Sequence, residues 1–329
     1  MSDENPASIS RRRFIKTLGA ASVAVGLAHR GVAVAANPTP STKRGPLQFG
    51  VQTPPQNTTY KSIVDVWKEA DDLGYDSLFA FDHFMPIFSD MTKPCLEGWT
   101  LLAALAAQTS RARVGLLVTG NTYRYPAVVA KMAATVDHAS NGRLIIGMGA
   151  GWFEAEHTQY GIPFYTAGIR ARRLAESVQV IKLLLTQPRS NFNGKYYQLK
   201  DALCEPKSIQ QPHPPILIGG VGPKVLQPTA ARYADIWHFF VQDAKPDEAR
   251  KLCENFDAIC RKVGRDPAAI QKATSLRSEL LTSSPQEIRR HIQKMAAAGV
   301  QQFILHLSPP FDRDVLRRFA KEVLPAVRG

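Results

Sequence analysis

The chain has 329 residues, of which 44% are apolar, and this is enough to bury a large core in one large α/β domain or two smaller ones. That composition excludes an intrinsically disordered body. The net charge of +13 favours an anionic ligand or surface. The basic residues, however, are scattered over many segments without a recognisable binding motif, so we expect no nucleic-acid partner.

The first 35 residues predict an export signal. The basic stretch SRRRFIK at 10–16 precedes a modest apolar run at 18–28 and the small residues Ala33-Val34-Ala35, as in a signal peptide with its cleavage site. The arginines followed by Phe and Lys resemble a twin-arginine signal, which the twin-arginine translocase reads on folded proteins. We therefore expect residues 1–35 to be removed and 36–46 to be a linker. The mature protein is expected to be soluble in the periplasm or outside the cell, with a net charge of +10.

Hydrophobic periodicity predicts that strands and helices alternate through the rest of the chain. Strands are predicted at 47–52, 77–81, 114–119, 144–148, 215–218, 236–240, 270–276 and 302–307, and helices at 62–73, 99–108, 126–139, 168–185, 224–233, 247–263, 285–298 and 315–324. An irregular stretch at 191–215, with a hairpin turn at 192–197, interrupts the alternation after the fourth helix.

Eight strand and helix pairs in series predict a (β/α)8 barrel over residues 47–329, with the stretch at 191–215 as an insertion after the helix that follows strand four. A doubly wound open sheet is the alternative. In a barrel the ligand lies at the carboxyl ends of the strands, so residues at those ends are the candidates for a functional site.

An acid and an imidazole, Asp82 and His83, follow strand two. Histidine exchanges a proton near neutral pH, and an adjacent carboxylate orients it or raises its pKa. The position at a strand end favours a catalytic pair over a histidine that only hydrogen-bonds a loop. Tyr123, Arg124 and Tyr125 follow strand three and are candidates for the barrel mouth, with a structural salt bridge as an equal alternative for Arg124.

Glycines mark the ends of strands four and five. Gly147, Gly149 and Gly151 are spaced by two, which predicts a flat space that a planar ring can approach; the spacing differs from that of a dinucleotide-binding fingerprint. After strand five, Gly219, Gly220, Val221 and Gly222 lead into a helix, an arrangement suited to a phosphate as well as to a plain tight turn.

The four cysteines, Cys95, Cys204, Cys253 and Cys260, show no metal-ligand spacing, and we expect buried thiols and no metal.

Together, the segment GLLVTGNTYRYPAVVAKMAATVDHASNGRLIIGMGAGW, the Asp82-His83 strand end and the segment PPILIGGVGPKVLQPTAARYADIW resemble the bacterial luciferase-like superfamily. The resemblance is closer to its coenzyme F420-dependent oxidoreductases and covers 47–328. It implies a (β/α)8 barrel, usually dimeric. It also implies hydride transfer between C5 of the deazaflavin and a small organic substrate, an alcohol or carbonyl or an activated alkene, with His83 as acid or base beside Asp82.

The same resemblance implies the cofactor contacts. A non-prolyl cis peptide in strand three lies behind the ring, here at Leu117-Val118 and followed by Thr119. The strand-four glycines Gly149 and Gly151 lie beside the ring, and the turn at 219–222 holds the phosphate-bearing side chain.

One departure concerns the substrate. The sugar-phosphate dehydrogenases of this branch have a Glu after the strand-four glycines, whereas this chain has Trp152. An apolar wall of Trp152, Phe153 and Trp99 suits a less polar substrate. Two alternatives stay open: a luciferase-like monooxygenase that uses FMNH2 from a partner reductase and O2, and an exported cofactor-binding protein without turnover.

Overall fold

A computed structural model describes residues 45–87, 89–240 and 245–328. The predicted signal at 1–35 and most of the predicted linker at 36–46 lie outside these residues. Within them, no helix has both the length and the apolar character needed to cross a membrane.

Eight parallel strand positions form a closed barrel. The strands are β1 Gln48–Gln52, β2 Ser77–Ala80, β3 Arg113–Leu116, β4 Thr119–Gly120, β5 Leu144–Gly149, β6 Ser190–Asn193, β7 Gln198–Ala202, β8 Ile216–Gly219, β9 Ile236–Phe239, β10 Gln271–Leu276 and β11 Gln302–His306. In the barrel the neighbours run in the order β3-β2-β1-β11-β10-β9-β8-β5, and pairing of β3 with β5 closes the ring. The third position consists of two short pieces, β3 and β4.

Helices follow the strands and form the outer layer. They are α1 Tyr60–Asp72, α2 Gly98–Ala106, α3 Pro126–Ala139, α4 Glu154–Gln159, α5 Ala167–Thr186, α6 Leu226–Tyr233, α7 Pro246–Lys262, α8 Ser278–Leu281, α9 Pro285–Ala297, α10 Arg313–Arg318 and α11 Leu324–Arg328, with a π-helical segment Phe319–Val323 between the last two. The predicted barrel is confirmed, and so is the insertion, in which β6 and β7 form an antiparallel hairpin after α5.

Local sequence explains several helix starts. Proline occupies the first turn of α3, where its missing N–H costs nothing. Thr59 caps α1 by accepting a hydrogen bond from the Ser62 N–H, and Ser284 and Glu287 form a capping box at α9. These signals begin the helices independently of the contacts made later by their apolar faces.

Apolar side chains are buried on both faces of the barrel sheet. The larger core lies between the sheet and the helices, and a smaller cluster fills the barrel interior, formed by Phe79, Leu117, Ile145, Leu217, Ile236, Ala273 and Ile304. The interior is therefore a packed core, and the space for a ligand lies above it, at the carboxyl ends of the strands.

Candidate active site

A cavity of about 960 Å³ opens at the carboxyl ends of the strands, and residues at the end of every barrel strand position line it. Its volume lies near the upper end of the range for small-molecule sites. The wall includes Asp82 and His83 after β2, Leu117 and Val118 between β3 and β4, Gly151 and Trp152 after β5, and Gly219 and Gly220 at β8. Much of the site that was predicted from residues at the carboxyl ends of the strands therefore lies around one cavity.

His83 is buried and is bound to a carboxylate that sequence reasoning gave no role. Its Nδ1 lies 2.7 Å from Oε2 of Glu156 in α4, and Glu156 is fully buried. Glu156 Oε1 accepts hydrogen bonds from the backbone N–H groups of Phe84 and Met85, and Oε2 also accepts one from the Tyr123 hydroxyl. The carboxylate therefore has four hydrogen-bond partners, of which His83 and Tyr123 line the cavity.

The charges of this cluster follow from its contacts. Burial alone raises the pKa of Glu156, but its hydrogen bonds and the charge of His83 outweigh burial and bring that pKa below its usual range. Burial, and then the hydrogen bond to Glu156, raise the pKa of Tyr123. Glu156 is therefore an ionised acceptor, and the Tyr123 hydroxyl keeps its proton near neutral pH and donates to it.

Asp82 has a different partner from the one expected. Both of its oxygens are bound by the Arg124 guanidinium, at 2.7 and 3.0 Å, and Arg124 also contacts Glu97. Burial raises the pKa of Asp82, and the ion pair with Arg124 opposes that rise. Asp82 thus anchors the loop after β4, so the prediction that it orients His83 is corrected: Glu156 does so. The salt-bridge alternative for Arg124 is the one observed.

The glycines of the fourth barrel strand, β5, and of the residues after it make room for the neighbouring third strand and the loop that follows it, not for a ring. A Cβ on Gly147 would lie 1.8 Å from the Leu116 carbonyl oxygen, and one on Gly149 would lie 2.4 Å from Cγ2 of Val118. Gly151 has φ +79, and its Cβ would meet Thr122 Oγ1 at 2.7 Å. The prediction of an open flat space at these glycines is therefore wrong.

The expected cis peptide is present between Leu117 and Val118. Both residues line the cavity, whereas Thr119 is fully buried and lies outside its wall. Gly149 also lies behind the wall, covered by Val118. Of the predicted ring contacts, Leu117, Val118 and Gly151 therefore reach the cavity directly.

The turn after β8 contributes Gly219 and Gly220 to the cavity wall, while Val221 and Gly222 lie outside it. Gly220 has φ +126, a conformation suited to glycine, and its carbonyl accepts a hydrogen bond of 2.9 Å from Trp237 Nε1. The helix that follows begins at Leu226, two residues later than predicted. Phosphate binding here stays a prediction.

The three predicted aromatic wall residues have different environments. Trp152 lines the cavity, is 56% exposed, and packs edge-on to His83 with ring centroids 5.9 Å apart. Phe153 packs against both rings but lies outside the cavity wall. Trp99 is buried in α2, away from the wall, so its predicted role is wrong. Its place in the helix is that of an apolar core residue.

Four polar side chains also line the cavity, those of Gln52, His238, Ser275 and His306. Gln52 donates a hydrogen bond of 2.9 Å to the Leu117 carbonyl and lies 3.0 Å from His306 Nδ1, and His238 Nε2 lies 3.0 Å from Ser275 Oγ. Burial lowers the pKa of His238 to about 4 and also lowers that of His306, so both imidazoles are neutral near pH 7.

No site role was predicted from the sequence for Glu156 or for the polar wall residues Gln52, His238, Ser275 and His306. The strand-end rule, applied to His238 in strand six and His306 in strand eight, was a sufficient signal for the two histidines. Glu156 gave no such signal, because it lies in a six-residue helix without periodicity.

Comparison with known proteins places the chain in a family. The sequence profile of the luciferase-like monooxygenases matches residues 46–325. The chain belongs to this family. It is 32% identical over 224 residues to an F420-dependent glucose-6-phosphate dehydrogenase of Microbacterium testaceum (67% of this chain, 64% of the relative). It is 29% identical over 269 residues to an F420-dependent hydroxymycolic acid dehydrogenase of Mycobacterium tuberculosis (82% and 72%).

A solved structure has the same fold. An F420-dependent secondary alcohol dehydrogenase, in complex with an F420-acetone adduct, superposes with a TM-score of 0.76 at 21% identity, covering 86% of this chain and 100% of that one.

The chain spans less than two thirds of several curated relatives that it matches, 58% for three uncharacterised mycobacterial proteins and 64% for the Microbacterium enzyme.

Proposed function

We propose that this luciferase-like protein is an F420-dependent oxidoreductase that transfers a hydride between the deazaflavin and a small alcohol or carbonyl substrate. The observation that carries the proposal is the His83–Glu156 pair, buried and hydrogen-bonded at 2.7 Å, in the wall of a large cavity. Relatives named as F420-dependent dehydrogenases support the choice of cofactor.

The residues present fit a deazaflavin. The cavity is large enough for a tricyclic ring together with a small substrate, and Val118 and Gly219 offer it an apolar surface without long side chains. In the same wall, Gln52, His238 and Ser275 offer neutral hydrogen-bonding groups suited to ring carbonyl and N–H positions. These groups would hold the ring by its polar edge.

When bound, the deazaflavin supplies a carbon that accepts or donates hydride. The chain supplies the proton chemistry, because His83 accepts the hydroxyl proton of an alcohol or returns one to a carbonyl. Trp152 covers His83 at the cavity mouth and gives the substrate an apolar face. This wall argues against sugar phosphates, the substrates named for one relative, and in favour of less polar alcohols.

The proposal is tested by cofactor identity. Protein isolated from its native host should carry F420 by mass spectrometry, and purified protein should bind added F420 and turn over alcohols without O2. His83→Ala should keep the bound cofactor and lose turnover by about 10²-fold or more. F420 binding without turnover in the wild type would favour the exported binding protein, equal turnover in the variant would refute the role of His83, and no F420 binding would refute the proposal.

A second candidate is a monooxygenase that uses FMNH2 and O2, because the matching family is named for that chemistry and one fold serves both. It requires reduced flavin from a partner reductase. FMNH2-dependent O2 consumption, without turnover on F420, would establish it.

Export and assembly belong to the same proposal. We infer that the twin-arginine translocase carries the folded protein out of the cytoplasm and that residues 1–35 are then removed, which would let a cofactor acquired in the cytoplasm leave inside the barrel. We also expect a homodimer, as is usual for the family. Amino-terminal sequencing of secreted protein and light scattering of the purified protein test these two points, and a cytoplasmic, unprocessed monomer would contradict both.

A further inference from the structure

We propose that Glu156 is the positioning residue of His83: it holds the imidazole in the tautomer that carries hydrogen on Nδ1, so that Nε2 is the proton-accepting atom offered to the substrate. This inference rests on the proposed function for the meaning of Nε2 in turnover. The tautomer itself is a property of the chain's own residues.

Hydrogen-bond donors surround Glu156 and leave it no proton to give. Its oxygens accept from the N–H groups of Phe84 and Met85 and from the Tyr123 hydroxyl, and Oε2 also lies beside Nδ1 of His83. An ionised carboxylate only accepts hydrogen bonds. The contact of 2.7 Å to His83 Nδ1 is therefore an N–H donating to the carboxylate, and in the neutral ring the lone pair must lie on Nε2.

Tyr123 supports the assignment of the hydrogen to Nδ1 of His83, because it donates to the same carboxylate. Its hydroxyl competes for the same oxygen of Glu156 and lies 3.5 Å from His83 Nδ1. Because burial and the bond to Glu156 raise the pKa of Tyr123, the hydroxyl keeps its proton and donates it to the carboxylate. Tyr123 therefore stabilises the charge on Glu156 and does not take its place.

Aromatic side chains hold the plane of the imidazole. The rings of Phe81, Tyr123, Trp152 and Phe153 lie 5.0 to 6.3 Å from that of His83, at interplanar angles of 69 to 83°. A ring flip that exchanged Nδ1 and Nε2 would have to displace these neighbours. Since His83 lines the cavity, a fixed ring presents one nitrogen to Glu156 and leaves the other for the substrate.

The test is Glu156→Gln. The amide oxygen replaces Oε1 and still accepts the two backbone N–H groups, while the NH2 group replaces Oε2 and donates to Nδ1. The variant should therefore favour the tautomer with hydrogen on Nε2. We expect ¹⁵N chemical shifts of the cofactor-free, histidine-labelled protein at pH 8.5 to show Nδ1–H in the wild type and Nε2–H in the variant.

Turnover should follow the tautomer. With F420 and an alcohol, kcat of Glu156→Gln should fall by about 10²-fold or more while KM changes less than about threefold, because the group that accepts the proton is blocked and the binding surface is kept. Glu154→Gln, an exposed carboxylate in the same helix, is the matched control and should resemble the wild type. Tyr123→Phe, which keeps the carboxylate, should retain Nδ1–H.

An Nε2–H tautomer in the wild type would overturn the inference even if no variant folds. So would a folded Glu156→Gln protein with Nδ1–H and wild-type kcat. Absence of F420 turnover in the wild type would refute the proposed function alone, since the tautomer is measured without cofactor.

Discussion

Replacement of Gly147 by alanine should separate two strands of the barrel. The new Cβ would lie 1.8 Å from the Leu116 carbonyl oxygen and 3.1 Å from its carbon, whereas real Cβ atoms stay beyond 3.0 Å. The neighbour is backbone and cannot rotate away, so β3 and β5 must move apart by more than an ångström where their pairing closes the barrel. Overpacking costs about 1–3 kcal/mol, and a contact with backbone belongs at the upper end, near 3 kcal/mol.

Gly149→Ala provides an informative comparison. Its Cβ would meet Cγ2 of Val118 at 2.4 Å, and a side chain can rotate, so we expect a loss nearer 1 kcal/mol. Because Val118 lines the cavity, its displacement should weaken cofactor binding more than stability. Gly45→Ala, which would contact no atom within 4 Å, is the control and should change stability by less than about 0.5 kcal/mol.

The assay is urea unfolding at pH 7. With a slope of about 3 kcal/mol per M for a domain of this size, Gly147→Ala should lower the midpoint by about 1 M and Gly149→Ala by about 0.3 M. A midpoint for Gly147→Ala within about 0.2 M of the wild type would refute the reasoning, because it would mean that β3 can retreat from β5 at almost no cost.

Three further predictions concern charge, pH and the substrate. Arg124→Ala leaves Asp82 buried without a partner and should cost about 3 kcal/mol by thermal or urea unfolding, whereas the double variant with Asp82→Asn should recover part of that loss; no recovery would contradict the ion-pair argument. His238, whose pKa is lowered from 6.5 to about 4, binds fewer protons folded than unfolded in that interval, so its neutral form stabilises the fold fully above pH 6.5 and this contribution is lost as the pH falls toward 4. His238→Asn should therefore flatten the fall of unfolding free energy between pH 7 and 4 by about 3 kcal/mol, and parallel curves would exclude this origin. Trp152→Ala, at a side chain 56% exposed, should leave stability nearly unchanged and lower kcat/KM for apolar alcohols by about tenfold; an equal loss for sugar phosphates would remove the apolar-wall argument.

The sequence predicted the bounds of a helix or strand well where residues at its own ends mark them. The helix Pro126–Ala139 has the predicted bounds, because proline begins it and Gly142, with φ +77, follows its end. The third strand is interrupted where Leu117 and Val118 leave the ladder, and it resumes at Thr119–Gly120. The six-residue helix Glu154–Gln159 escaped detection, since it is too short to show a period.

Some site residues were likewise predicted correctly from the sequence, and others were not. His83 was found from its place after a strand, and the cis peptide at Leu117-Val118 from family resemblance. Trp99 was misplaced because an aromatic residue in a short apolar helix is indistinguishable, by sequence, from one at a cavity wall. The roles of Gly147 and Gly149 were misread, since spacing shows which face lacks side chains but not what fills the space.

The sequence by itself determined the alternation of eight strands and helices, and with it the placement of His83 at the mouth of a barrel. Only the tertiary structure decided which carboxylate serves that histidine. Consecutive side chains leave the backbone in different directions, so Asp82 faces Arg124 while His83 faces Glu156, 73 residues away. That contact arises from closure of the barrel, which brings the ends of distant strands together and which no local pattern of residues encodes.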